Sequence, residues 1–274
     1  MPRSTAPLRD QLHTRARIVS ETFGIASRQE FQTDALRRFP VSDDLAHRLE
    51  DVFNIEWHVI PPMTVVPFDA AYLARMYPQR SHTFEEAGYE TISVRRTLEA
   101  AHARIEGRIV GVETTQKPIY LPANTQFYGS IYGLDPTFDP LRTYFEQARL
   151  QSGPRFINSR FAQTPATLRS LAAVVIGDWK TQGFIPPGYE LAVCPPTVFN
   201  LVGLLFHPEW SQTATLELSA YHDDRGNAVG LAVGSNGPGD FSYVRRLGHE
   251  ADLSQLGFRI ALVPSDSGAG ARSL

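Results

Sequence analysis

The last third of the chain is a succession of short alternating runs separated by turn residues, and this pattern limits the fold more than any other feature. Over 213–221, Leu216, Leu218 and Ala220 fall on one face, and Thr215, Glu217, Ser219 and Tyr221 on the other. That is the two-residue period of a half-buried strand. Asp223-Asp224-Arg225-Gly226 supplies turn chemistry, and 227–235 reads as the returning strand. A Gly- and Pro-rich turn at 234–240 and further strands at 241–245 and 257–263 complete an antiparallel meander.

Upstream the period changes. Leu8, Leu12, Val19 and Phe23 share a helical stripe that Gly24 can end. Ser27 and Glu30 have capping-box spacing ahead of Phe31, Ala35 and Leu36, and Pro40 stops that helix. Ser42, followed by Asp43 and Asp44, is an N-cap signal for a helix carrying Leu45, Leu49, Val52 and Phe53. Residues 55–59 alternate as a strand that Pro61 and Pro62 end. Helices are expected over 68–77, 94–105 and 138–150, and from Thr164 or Thr167 to Lys180. Strands are expected at 108–114, 118–121 and 126–134.

The resulting fold class is α+β, with an N-terminal helical layer, a mixed middle segment and a C-terminal antiparallel sheet. Residues 151–166, with Gly153, Pro154 and Pro165, are the best linker. They divide a helix-rich α+β lobe at 1–150 from a lobe at 167–263 that carries the meander. One continuous domain fits equally well. The Ser-, Gly- and Ala-rich tail at 264–274 is expected to be disordered.

Composition removes several function classes. The net charge of −3 and the pI of about 6.2 leave no electrostatic footprint for a polyanion. Residues 1–50 hold eight arginines against seven acidic side chains, so the N-terminal helices read as a packing layer rather than a DNA-binding unit. Of the 26 basic residues only Lys117 and Lys180 are lysines. The arginine excess suits bidentate recognition of carboxylate or phosphate, and equally a GC-rich coding sequence. Cys194 is the one cysteine and has apolar neighbours, which fits an inert buried thiol and a reducing compartment. With no apolar run near the roughly 18 residues of a membrane span and no secretory leader, the expected location is cytoplasmic.

The glycine signatures of nucleotide sites, H-E-x-x-H, G-x-S-x-G and paired C-x-x-C do not occur. What remains is a concentration of imidazoles and carboxylates in the C-terminal region. His207 and Glu209 flank Pro208, His222 and Asp223 precede Asp224 at the strand-to-turn junction, and His249 and Glu250 follow. Such groups can act as general acid and base, or two histidines and a carboxylate can hold a divalent metal with positions left open. Hairpin and surface-loop chemistry explains the same residues without a function.

Two binding candidates lie upstream. Glu56 and His58 share one strand face about 6.5 Å apart, where a carboxylate can orient an imidazole. Trp57 is expected to face the core, which would leave both solvated. Tyr128, Ser130 and Tyr132 form a row that could line a groove, or a core edge. Glu113, inside an apolar strand, would need a partner such as Arg108 if buried. His13, His47, His82 and His102 read as surface residues.

These readings favour a small-molecule enzyme of hydrolase or lyase type, with His222, Asp223, His207 and Glu209 as its working groups and a divalent metal as the cofactor they could take. The alternative is a non-catalytic binding or assembly protein acting through protein–protein contacts, homo-oligomeric contacts included. Its motives are the absence of any catalytic motif and aromatic and proline-rich segments such as 184–189, expected to be exposed. Neither reading involves nucleic acid or membrane.

Overall fold

In the computed structural model the described residues are 6–25, 35–76, 89–115, 119–120, 126–127, 140–141, 143–144, 165–212, 216–222, 228–234, 243–247 and 256–265. Helix α1 (Leu8–Phe23) ends where expected: Gly24 is left-handed (φ 65°), a conformation that an L side chain rarely adopts. Helix α2 (Asp43–Phe53) is capped by Ser42, whose hydroxyl accepts from the Leu45 amide at 3.3 Å. Its buried stripe is Ala46, Leu49 and Phe53, while Val52 is 52% exposed. The expected stripe was therefore rotated by part of a turn, because Ala46 rather than Leu45 makes the deep contact. Ser27, Glu30 and Phe31 lie outside the described residues.

Asn54 ends α2 in the left-handed region (φ 54°) and turns the chain straight into strand β1 (Ile55–Val59). Its carbonyl accepts from the Thr114 amide at 2.8 Å, which sets the register against β2 (Ile109–Glu113). Between them lie α3 (Ala70–Met76) and α4 (Tyr89–Ala103). Then come the short strands β3 (Ile119–Tyr120) and β4 (Gln126–Phe127), helix α5 (Pro165–Gln182), strand β5 (Tyr189–Val193) and helix α6 (Pro196–Phe206). A 3-10 turn (Pro208–Gln212) follows, then β6 (Leu216–His222), β7 (Ala228–Gly234), β8 (Tyr243–Leu247), β9 (Leu256–Phe258) and β10 (Ile260–Pro264).

The α+β class holds, but the strands form more than the C-terminal meander. One four-stranded sheet has the order β8-β7-β6-β9. Its β6–β7–β8 part is the expected antiparallel meander, and β9 closes it in parallel with β6. A second four-stranded sheet has the order β1-β2-β10-β5 and is antiparallel throughout. It draws two strands from before the 151–166 segment and two from after it. Pro264, expected to begin a tail, still pairs with Tyr189. The two-residue strands β3 and β4 pair with each other.

The second sheet holds the core. Trp57 is opposite Gly111, and a Cβ at Gly111 would meet Ile55 at 3.0 Å and the Trp57 ring at 3.1 Å. Glycine there lets the indole lie across the neighbouring strand. Phe39 and Tyr189 meet the same indole edge-on, at 5.1 and 5.6 Å. Helix α6 is apolar on all sides and buried from Pro196 to Gly203, as a helix inside a core must be. Phe184 is buried against Phe53 and Trp179. The stretch at 184–189 is thus a core anchor at Phe184, not an exposed aromatic patch.

Candidate functional site

Strand β1 is covered on both faces, which the alternation argument did not anticipate. Ile55, Trp57 and Val59 face one layer of the core. On the other face the His58 ring packs 4.8 Å from Phe206, at the end of α6, and is fully buried. His58 was expected to be solvated beside a core-facing Trp57. Both are buried: Phe206, at the end of α6, packs on the His58 ring, and Arg15 of α1 lies against Glu56.

His207 terminates α6. Its amide continues the helical ladder to Val202 and Gly203, and its ring stacks on Trp210 of the following 3-10 turn (4.8 Å, 12°). The Arg259 guanidinium sits 3.9 Å from the centre of the same indole. His207 Nδ1 is 2.9 Å from Glu209 Oε1, and its Nε2 is 3.4 Å from Glu56 Oε2. The second contact is electrostatic, since the atoms are not aligned as a hydrogen bond. His58 Nε2 lies 3.6 Å from the same Glu56 oxygen, and neither His58 nitrogen has a hydrogen-bond partner. One donor atom each from Glu56, His58 and His207 falls within 4.8 Å of the others.

Arg15, on α1, completes the group. Its Nη2 donates to Glu56 Oε2 at 2.9 Å and its Nη1 to the Trp57 carbonyl at 2.9 Å. β1 is the edge strand of its sheet, so this arginine both covers an open edge carbonyl and fixes the carboxylate.

The charge states follow from burial and neighbours. Burial would raise the Glu56 carboxyl, but the His207 contact and the charges of His58, Arg15 and His207 outweigh it and hold it at about 2. Burial drives His58 well below the usual histidine range, and the nearby Arg15 charge adds to that against the pull of Glu56. At neutral pH His58 is therefore an uncharged imidazole beside an ionised carboxylate, to which the Arg15 guanidinium donates. Burial also lowers the Arg15 guanidinium, opposed by Glu56 and Glu50.

Four of the sequence candidates thus meet in one place: Glu56 and His58, singled out as a strand pair, and His207 and Glu209, singled out in the C-terminal group. His222 ends β6, opposite Ala228; its side chain and Asp223, Asp224, His249 and Glu250 lie outside the described residues, as do Tyr128, Ser130 and Tyr132. Glu113 is buried, and its carboxylate accepts from the Ile260 amide at 3.4 Å. The buried arginine beside it is Arg259, which donates to the Glu113 carbonyl, rather than Arg108. Cys194 is buried as expected.

Arg15 was missed, although the sequence held a signal. It falls on the Leu8, Leu12, Val19 stripe, and a charge that interrupts an apolar stripe needs a buried partner. His102, read as a surface residue, is buried on α4, where its Nε2 meets the Pro61 carbonyl at 3.3 Å.

A groove of about 470 Å³ lies elsewhere, between Tyr144 and α5. Tyr144 donates to Asp178 there, and Gln182 donates to the same carboxylate at 2.6 Å. It is open, and its described lining residues carry no imidazole, thiol or cation. Among the described residues no helix is long and apolar enough to cross a membrane. No protein-family model matches the chain, and no curated protein or solved structure matches it.

Proposed function

We propose that the protein is a small-molecule enzyme of hydrolytic type whose working centre is Glu56, His58 and His207, supported by Arg15 and Glu209. The observation that supports this reading is the fully buried His58, with both ring nitrogens unpartnered, facing an ionised carboxylate and a second imidazole. A buried polar group without a partner costs about 1–3 kcal/mol. A fold that carries one beside a second imidazole gains nothing in stability from it, so the group is retained for its chemistry.

The roles follow from the contacts. His207 is gripped through Nδ1 by Glu209 and presents Nε2 to the cluster, the arrangement in which a carboxylate orients an imidazole for proton transfer. Glu56 stays ionised and Arg15 fixes its direction. Solvent reaches the group at Glu56 and His207, whose side chains are 23% and 14% exposed. Water and a small substrate meet it from that side. The lone buried cysteine fits work in the cytoplasm.

The test is a panel of chromogenic carboxylic, phosphoric and amide substrates, assayed with the wild type, Glu56→Gln and His207→Ala. Turnover by the wild type that drops at least about 100-fold in both variants, with unchanged circular dichroism, supports the reading. Turnover that survives both substitutions removes it. The assembly alternative keeps the absence of a catalytic motif as its support, while Phe184 itself belongs to the core.

A further inference from the structure

We infer that Glu56, His58 and His207 are the three protein ligands of a divalent zinc-type cation. This deepens the hydrolytic reading of the same residues but is carried by geometry that does not depend on turnover. A tetrahedral centre with bonds of about 2.0–2.1 Å sets its ligand atoms about 3.3–3.4 Å apart. Glu56 Oε2 is 3.4 Å from His207 Nε2 and 3.6 Å from His58 Nε2. Both separations are too long or too poorly aligned for hydrogen bonds, yet match the edge of a coordination tetrahedron; the histidine–histidine separation lies within 4.8 Å and shortens by up to about 1.4 Å when the ion binds.

The surrounding contacts fit the same assignment. A metal-bound imidazole nearly always has its other ring nitrogen held by a carboxylate or carbonyl. His207 Nδ1 is held by Glu209 at 2.9 Å, leaving Nε2 for the metal. His58, fully buried and without hydrogen bonds, has a ring nitrogen to spare in the uncharged form that binds metals. A carboxylate oxygen has two lone pairs; Arg15 takes one on Glu56 Oε2 and leaves the other facing the histidines. Two nitrogen donors and one oxygen favour zinc or a neighbouring transition metal over magnesium or calcium, which prefer oxygen shells. Three protein ligands leave a fourth position for water, the pattern of hydrolytic rather than structural zinc sites. The bound ion would lower the pKa of that water.

The experiment uses the full chain purified without a histidine tag and stripped with a chelator. Zinc is titrated in competition with a chromogenic chelator, and Co²⁺ is added separately as a spectroscopic stand-in. The expected result is one zinc per chain and a Co²⁺ spectrum of four-coordinate intensity. Glu56→Gln and His207→Ala are expected to weaken zinc by more than the 10–100-fold that second-shell losses bring, while His13→Ala, on exposed helix surface, binds as the wild type does. Both test positions are partly exposed, unlike the fully buried His58, so these variants disturb the packing least. Absence of stoichiometric zinc on the wild type, or affinity kept by both variants, overturns the inference. The two readings separate cleanly. Zinc bound without turnover on the substrate panel supports this inference and sinks the enzyme reading, whereas cluster-dependent turnover without zinc overturns this inference and leaves metal-free acid–base catalysis.

Discussion

His58 on β1 and His102 on α4 are both buried, and burial lowers both pKa values, yet their surroundings differ in kind. His102 lies among Phe68 and Tyr72, with ring centres 5.8 and 5.9 Å away, and its Nε2 meets the Pro61 carbonyl. That is a core histidine anchoring a helix to the loop after β1. His58 packs on one ring, Phe206, has no hydrogen bond, and faces a carboxylate and a second imidazole. The same residue type at the same depth meets a backbone carbonyl in one region and faces a carboxylate and an imidazole in the other. The difference is whether a neighbouring group uses the ring nitrogen.

Four measurements test that contrast. The largest effect expected is on zinc: His58→Phe weakens binding more than 100-fold, beyond the second-shell range, and His102→Phe leaves it within a factor of two or so of the wild type. Equal losses in both variants would mean the two sites are not distinct.

The second is acid stability. The Glu56 carboxyl is held at about 2 against 4.5 for the free group. Its folded pKa is the lower one, so its contribution is complete above about pH 4.5 and disappears as pH falls towards 2. This is worth up to about 3 kcal/mol, and denaturant titrations of Glu56→Gln should show a correspondingly flatter slope in that window. Above it, both histidines have lowered folded pKa values. Stability should therefore decline as pH falls through about 6.5, where the unfolded imidazoles take up protons, and either single His→Phe change should remove part of that slope.

The third concerns the glycine that positions β1. Gly111→Ala forces the Trp57 ring or Ile55 to shift and should cost about 1–3 kcal/mol in urea unfolding. It should also lower zinc affinity, since Glu56 and His58 flank Trp57. Unchanged affinity would mean that the cluster tolerates movement of its strand.

The smallest effect is opposite in sign at the two sites. In metal-free protein His58→Leu removes an unsatisfied buried imidazole and should raise stability by about 1 kcal/mol. His102→Leu loses a hydrogen bond and should lower it by a similar amount.

Much of the local structure was legible in the sequence because its causes are local. The Ser42 cap, the Gly24 stop, the strand at 55–59 and the 216–234 hairpin each rest on residues a few positions apart. The same reasoning rotated the α2 stripe and left His58 in solvent, because both depend on what packs against the element. Glu56 with His58, and His207 with Glu209, were visible as two separate pairs. Nothing within either pair points to the other, and Arg15 announced itself only as a charge on an apolar stripe.

The sequence by itself therefore determined the α+β class, the helix ends and the chemical types available, since capping, turn chemistry and side-chain period act within a few residues. That β1 is covered on both faces and that residues 56 and 207 meet came from the tertiary fold alone. Phe206, at the end of α6, packs on His58 across nearly 150 residues of chain, and burial at that separation leaves no trace in local spacing.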